Sequence, residues 1–267
     1  MSSSHFITSP KGEIHYRQWG SGARLVIAFH GFANQCTLFE PIALAMPKEV
    51  TFIAIDLPFH GRTQWKAKVY TQTDVKHWIS TLLSLQDTST FEWMGFSLGA
   101  RVILATCADM DDSLSGIHLI APDGIATYRT SFSQLVPVFF RRQIHRLIGT
   151  YPGACLGLAQ RLHDWRLLDH FSLIYIEKQL RSSLQIDRLF QTWLSLPQFK
   201  VDRRSVRKHI IETQLPIHLC LGKHDKFVDS AYIQAWAAPI PHLKCQLFEQ
   251  GHHLIKPALG KYFQKIL

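Results

Sequence analysis

The feature that most limits what this chain can fold into is a series of short, unbroken apolar runs. They are Leu25–Phe29, Thr51–Ile55, Phe91–Met94, Gly116–Ile120, Ile217–Leu221 and Cys245–Phe248. A strand with one wet face alternates apolar and polar residues, whereas a strand covered on both faces is apolar throughout. Between the runs, Leu38–Met46, Asp74–Leu85, Leu98–Ala108 and Ser230–Ala238 place apolar residues three and four apart, the spacing of a helix with one buried stripe. Strand and helix in alternation imply parallel strands joined by right-handed crossovers, with helices on both faces of the sheet. The expected fold is α/β, a three-layer sandwich around a mostly parallel central sheet. Upstream, Phe6–Trp19 reads as two short strands around the turn Pro10-Lys11-Gly12.

The rhythm breaks once. From Ala126 to Thr213 only helix-like segments such as Phe139–Ile148 and Leu173–Leu184 occur. This predicts a helical cap of residues 126–213, a lid over one edge of the sheet, inserted into a core of residues 1–125 and 214–267. The insertion carries 14 Lys/Arg against 6 Asp/Glu and so holds nearly all of the formal net charge of +9. A solvated helix face accounts for such charge as well as an anionic substrate or an acidic membrane surface does. No nucleic-acid-binding motif accompanies it, so nucleic acid is not an expected partner. The aromatic residues Phe139, Phe140, Tyr151, Trp165, Phe171 and Trp193 are candidates either for lining a substrate pocket or for packing the insertion.

With 46% hydrophobic and 12% aromatic residues, 267 residues bury a core without covalent staples. The five cysteines form no CxxC pair and no zinc-like spacing, and the histidines lack HExxH spacing, so no metal or cofactor is expected. Cys107, Cys220 and Cys245 sit among apolar neighbours and are expected as buried thiols. Met1–Phe6 lacks a basic stretch followed by an apolar one, and unpaired cysteines suit a reducing compartment, so the expected location is the cytoplasm. No apolar run approaches the ~20 residues that span a bilayer, so stable membrane insertion is not expected.

Gly95-Phe96-Ser97-Leu98-Gly99 is a G-x-S-x-G sequence between a buried strand and a helix. In that setting the serine occupies a sharp turn, its hydroxyl is lifted above the sheet edge, and the helix N-terminus offers unpaired N–H groups to a developing oxyanion. A nucleophilic serine needs a base, and the base needs an orienting acid. His252 follows the last strand in Glu249-Gln250-Gly251-His252, and Asp225 follows the strand before it in Gly222-Lys223-His224-Asp225. Both therefore belong to the edge of the sheet where Ser97 emerges. Asp123, in Ala121-Pro122-Asp123-Gly124, ends another strand and competes for the role of acid. His253 competes with His252, while His224 reads as a loop residue.

With these motifs in this order, the chain resembles the α/β-hydrolase superfamily over nearly its whole length outside the insertion. His30-Gly31-Phe32 resembles the family's HG-x segment, which implies an oxyanion hole made of the Phe32 and Leu98 backbone N–H groups. Asp56-Leu57-Pro58-Phe59-His60-Gly61 resembles the family's D-x-P-G-x-G turn but has Phe59 where glycine is usual. The resemblance implies a serine hydrolase of small-molecule substrates, with carboxylic esters the leading class and Ser97, Asp225 and His252 as triad. Gly-x-Ser-x-Gly-x-Arg, with Arg101, also resembles menaquinone-pathway synthases of the same superfamily, in which that arginine helps hold a polycarboxylate. The alternatives are thus a lyase-type synthase, with Arg101 binding substrate rather than forming an ion pair, or a non-catalytic binding protein on the same fold.

Overall fold

The structure, a computed structural model, describes residues 2–125, 138–168, 170–180 and 182–267. A nine-stranded sheet runs through it, comprising β1 (Ser2–Ser9), β2 (Gly12–Trp19), β3 (Arg24–Phe29), β4 (Val50–Ile55), β5 (Gln64–Trp65), β6 (Phe91–Phe96), β7 (Leu114–Ile120), β8 (Ile217–Gly222) and β9 (Leu243–Phe248). The order is β1-β2-β4-β3-β6-β7-β8-β9, with β5 paired to β2. From β4 through β3 to β9 every pairing is parallel, while β1–β2 and β2–β4 are antiparallel. This is the mostly parallel α/β architecture expected.

All six residues of β4 and all six of β6 are buried, as unbroken apolar runs require. One of them is the carboxylate Glu92. Burial alone would raise its pKa, yet hydrogen bonds from His118 and Arg24 hold it down to about 2.

The helices of the sheet unit are α1 (Glu40–Ala43), α2 (Gln72–Leu85), α3 (Leu98–Thr106), α8 (Arg203–Thr213), α9 (Ser230–Ala237) and α10 (Pro257–Phe263). Helix α2 begins with a capping box, in which Thr71 and Asp74 each accept from the other's backbone N–H. Helices α4 (Val138–Thr150), α5 (Pro152–Asp164), α6 (His170–Gln179) and α7 (Ser183–Ser195) lie between β7 and α8.

Three local expectations are corrected. The predicted helix Leu38–Met46 is a 3-10 turn, Cys36–Phe39, followed by one helical turn that has Pro41 in its first positions. The predicted helix Leu173–Leu184 is divided between α6 and α7, because the Ser182 hydroxyl accepts from the Gln185 N–H and starts a new helix. Strand β9 is not buried on both faces: it lies at the end of the sheet, and Lys244 to Leu247, Cys245 included, are exposed. Apolar composition does not distinguish an interior strand from an edge strand with one neighbour. Cys107 and Cys220 are buried as expected, and burial pushes the Cys107 thiol up to about 12.

The chain divides into two compact units, residues 1–129 with 197–267, and residues 130–196. In the second, Leu180, Ile186 and Phe190 form a small core with Ile144, Ile148 and Trp193 against it. Arg141 lies 4.9 Å from the Trp193 ring centroid and donates to the Trp193 carbonyl at 2.7 Å. Trp193 therefore packs this unit, while Phe140, Tyr151 and Trp165 are exposed. The Phe139 and Phe171 side chains and residues 126–137 lie outside the described residues.

Residues 197–213, grouped with the insertion on sequence, belong to the sheet unit. Phe199 packs on Tyr70 at 4.9 Å, and the Trp236 indole donates to the Arg203 carbonyl. Five of the fourteen insertion cations (Lys200, Arg203, Arg204, Arg207 and Lys208) go with them. No helix among the described residues is long and apolar enough to cross a membrane.

Candidate active site

Ser97 stands between the end of β6 and the first residue of α3, with φ 49° and ψ −110°. A positive φ is unfavourable for a serine and must be imposed by its surroundings. Three backbone bonds impose it. The Ser97 N–H donates to the Ile120 carbonyl at 3.0 Å, and the Ser97 carbonyl accepts from the Arg101 and Asp123 N–H groups, both at 3.2 Å. The flanking glycines are required sterically: a Cβ on Gly95 would lie 2.7 Å from the Ala100 backbone, and one on Gly99 2.0 Å from the Phe29 carbonyl oxygen.

His252 and Asp225 come from the loops after β9 and β8. Those loops are tied together by the Lys223 N–H to the Phe248 carbonyl (2.8 Å) and the His224 N–H to the Gln250 carbonyl (2.9 Å). Their approach is so close that a Cβ on Gly222 would lie 2.4 Å from the Gly251 carbonyl oxygen.

The result is a continuous hydrogen-bonded chain. Asp225 Oδ2 lies 2.8 Å from His252 Nδ1, and His252 Nε2 lies 3.0 Å from Ser97 Oγ. The other Asp225 oxygen accepts from the Phe227 and Val228 N–H groups, and the residue is buried. An ionised carboxylate only accepts, so Asp225 fixes the proton on Nδ1 and leaves Nε2 to accept from the serine hydroxyl. The Phe96 and Phe227 rings, 5.2 and 4.8 Å away, flank the imidazole.

The competitors are placed elsewhere. Asp123 receives both arms of the Arg101 guanidinium, Nε at 2.8 Å and Nη2 at 2.9 Å, and Arg101 is buried. His253 is exposed beside His252, and His224 faces Glu249 at 3.3 Å.

Leu98 is the first residue of α3, where N–H groups have no intrahelical acceptor. Phe32 lies in the loop after β3. Sequence reasoning missed what holds that loop: His30 Nε2 accepts from the Leu57 N–H at 3.0 Å, and His60 Nε2 accepts from the Ala33 N–H at 3.1 Å. The signal was present, since both histidines sit inside the two loop motifs. Phe59, at the unusual position of its motif, takes φ 68°, a conformation glycine adopts freely, and packs on Tyr70 at 6.4 Å. The departure in sequence is absorbed as backbone strain.

Residues 24–257 match the family model described as alpha/beta hydrolase fold. A probable serine hydrolase of Drosophila melanogaster is 36% identical over 58 residues, which are 21% of this chain and 18% of that protein. The chain thus spans less than a fifth of that relative. A pimeloyl-[acyl-carrier protein] methyl ester esterase of Xylella fastidiosa (strain 9a5c) is 24% identical, over 85% of this chain and 86% of its own. Among solved structures, the thioesterase domain from the curacin biosynthetic pathway superposes with a TM-score of 0.67 at 17% identity, covering 100% of this chain and 99% of that one. With the family model matched over most of its length, the chain belongs to the alpha/beta hydrolase fold family.

Proposed function

We propose that this protein is a serine hydrolase that cleaves carboxylic esters, with Ser97 as nucleophile, His252 as base and Asp225 as orienting acid. The observation that carries the reading is the unbroken Asp225–His252–Ser97 hydrogen-bonded chain ending on a strained strand-to-helix turn. His252 Nε2 takes the hydroxyl proton as Ser97 Oγ attacks the ester carbonyl. The oxyanion that forms is received by the Phe32 and Leu98 N–H groups, preorganised dipoles aimed where charge develops. Asp225 stabilises the imidazolium, which then protonates the departing alcohol. A water molecule activated by the same imidazole releases the acyl group and restores the serine.

Arg101 does not support a synthase-like role in gripping a substrate carboxylate, because Asp123 already occupies its guanidinium. We further propose, from the aromatic content of the insertion in the sequence, that it selects among acyl chains.

Turnover of p-nitrophenyl esters by Ser97→Ala tests the reading. A fall of several orders of magnitude is expected, as for other triad nucleophiles. Wild-type turnover by the variant would remove Ser97 from the mechanism, and failure of a fluorophosphonate to label Ser97 in the wild-type protein would favour a binding protein.

A further inference from the structure

A second serine–histidine–carboxylate chain lies in the antiparallel part of the sheet. Ser4 on β1 places its Oγ 2.8 Å from Nε2 of His15 on β2, and His15 Nδ1 lies 2.7 Å from Asp56 Oδ2, just past the end of β4. The hairpin register produces this contact. Ser4 and Phe6 share a face of β1, and Phe6 pairs directly with His15.

Asp56 is buried, and its oxygens accept from the backbone N–H groups of Cys36 (2.6 Å) and Arg62 (2.8 Å). Burial opposes ionisation, but these N–H groups and His15 outweigh it and hold the carboxyl below its usual range. An ionised Asp56 can only accept, so His15 carries its proton on Nδ1 and turns the Nε2 lone pair towards Ser4. Ser4 is an exposed residue, whereas His15 is 1% exposed. Arg62 Nη1 donates to Ser4 Oγ at 2.9 Å, with its guanidinium 5.5 Å from the Phe6 ring.

Two other uses of these residues fit less well. His15, Cys36 and Asp56 converge within 4.8 Å, a spacing that suits a metal ion. Asp56 is already engaged by His15 Nδ1 at 2.7 Å and by the Cys36 and Arg62 N–H groups, so a cation there would have to displace the His15–Asp56 bond. A purely structural role for His15–Asp56 requires neither an exposed serine on Nε2 nor a guanidinium on that serine's hydroxyl.

We propose that Ser4 is a second reactive hydroxyl that accepts acyl groups from activated esters, independently of Ser97. Ser4 Oγ bonds to the ester carbonyl carbon, its proton passes to His15 Nε2, and the carbon–oxygen bond to the leaving alcohol breaks. The alcohol departs as its anion, the acyl group stays on Ser4, and His15 returns its proton to solvent. Arg62 lies beside the oxyanion formed on the way. Ser4 is mid-strand, not at a helix N-terminus, so one exposed guanidinium stands in for the two backbone N–H groups assigned to Ser97. The adduct accordingly persists instead of turning over.

The test uses Ser97→Ala protein, p-nitrophenyl acetate and mapping of acetylated peptides by mass spectrometry. Ser3 is the internal reference: its Oγ lies 2.7 Å from His5 Nε2, and among the described residues no carboxylate stands behind that imidazole. Acetylation of Ser4 is expected to outpace that of Ser3 by about tenfold or more. Arg62→Met, a change at an exposed residue, is expected to slow Ser4 and leave Ser3 unchanged. His15→Gln is expected to equalise the two serines; where that variant does not fold, the Ser4/Ser3 ratio and Arg62→Met decide. Equal acetylation of both serines, or none at Ser4, overturns the proposal and leaves the reading of Ser97 untouched.

Discussion

Arg101 grips both carboxylate oxygens of Asp123, and the backbone N–H groups of the same two residues both end on the carbonyl of Ser97. The ion pair is therefore a brace across the strained turn, joining the first turn of α3 to the loop after β7.

Removing the brace separates support from chemistry. Arg101→Met leaves Asp123 without its counter-ion, and stability is expected to fall by about 2 to 3 kcal/mol, below the usual cost at a fully buried pair because Asp123 keeps some water contact. Asp123→Asn is expected to lower the thermal midpoint while changing kcat by less than about tenfold. Asp225→Asn is expected to cost about 10³- to 10⁴-fold in kcat through the wrong imidazole tautomer. Steady-state kinetics and thermal melts of the two Asp→Asn variants check this, and equal kinetic losses would return the acid's role to contention.

Gly99→Ala is expected to abolish folding or to cost more than about 4 kcal/mol, because the new methyl would meet the Phe29 carbonyl oxygen at 2.0 Å. The loop before α3 cannot shift without releasing Ser97. Soluble yield and denaturant unfolding are the measurements, and a well-folded, active variant would contradict the close approach.

Acid is expected to weaken the protein in two stages. Burial, followed by the charges of His118 and Lys244, holds the pKa of His218 down to about 4, so the unfolded chain binds a proton more readily than the folded one between about pH 6.5 and 4. Stability contributed by that neutral imidazole is thus lost as pH falls through this window. Glu92, held down to about 2, adds stability that is present above its ordinary range near 4.5 and is lost as pH falls from there. Thermal midpoints measured across pH 7 to 3 should show both stages, and His218→Asn should remove the first. A pH-independent midpoint between 6.5 and 4.5 would contradict it.

The helical insertion is expected to tune chain length. Replacing Phe140, Tyr151 and Trp165 together by alanine should raise KM for long-chain p-nitrophenyl esters and spare the acetate. Unchanged preference over the ester series would remove the insertion from substrate selection.

Much of the site is legible in the sequence because its members sit in short motifs at strand ends. Ser97 is announced by its flanking glycines, and His252 and Asp225 by the loops that follow two apolar runs. The resemblance ranks Asp225 ahead of Asp123, but the contact that engages Asp123, made by Arg101 across 22 positions, is not legible there. The ties made by His30 and His60 each cross 27 positions, and the Ser4–His15–Asp56 chain depends on hairpin register. Local patterns carry strand ends and turns; they do not carry which distant side chain arrives. The exposure of β9 was hidden for a related reason, because an apolar run does not count its neighbours.

That edge position has a mechanical consequence. His252 hangs from the outermost strand, paired on one side only, and its loop is stapled to that of Asp225 by a few backbone bonds. Fraying at this rim would carry the imidazole away from its serine while the interior of the sheet stayed zipped. Loss of the proposed ester turnover on warming is then expected to run ahead of the loss of ellipticity.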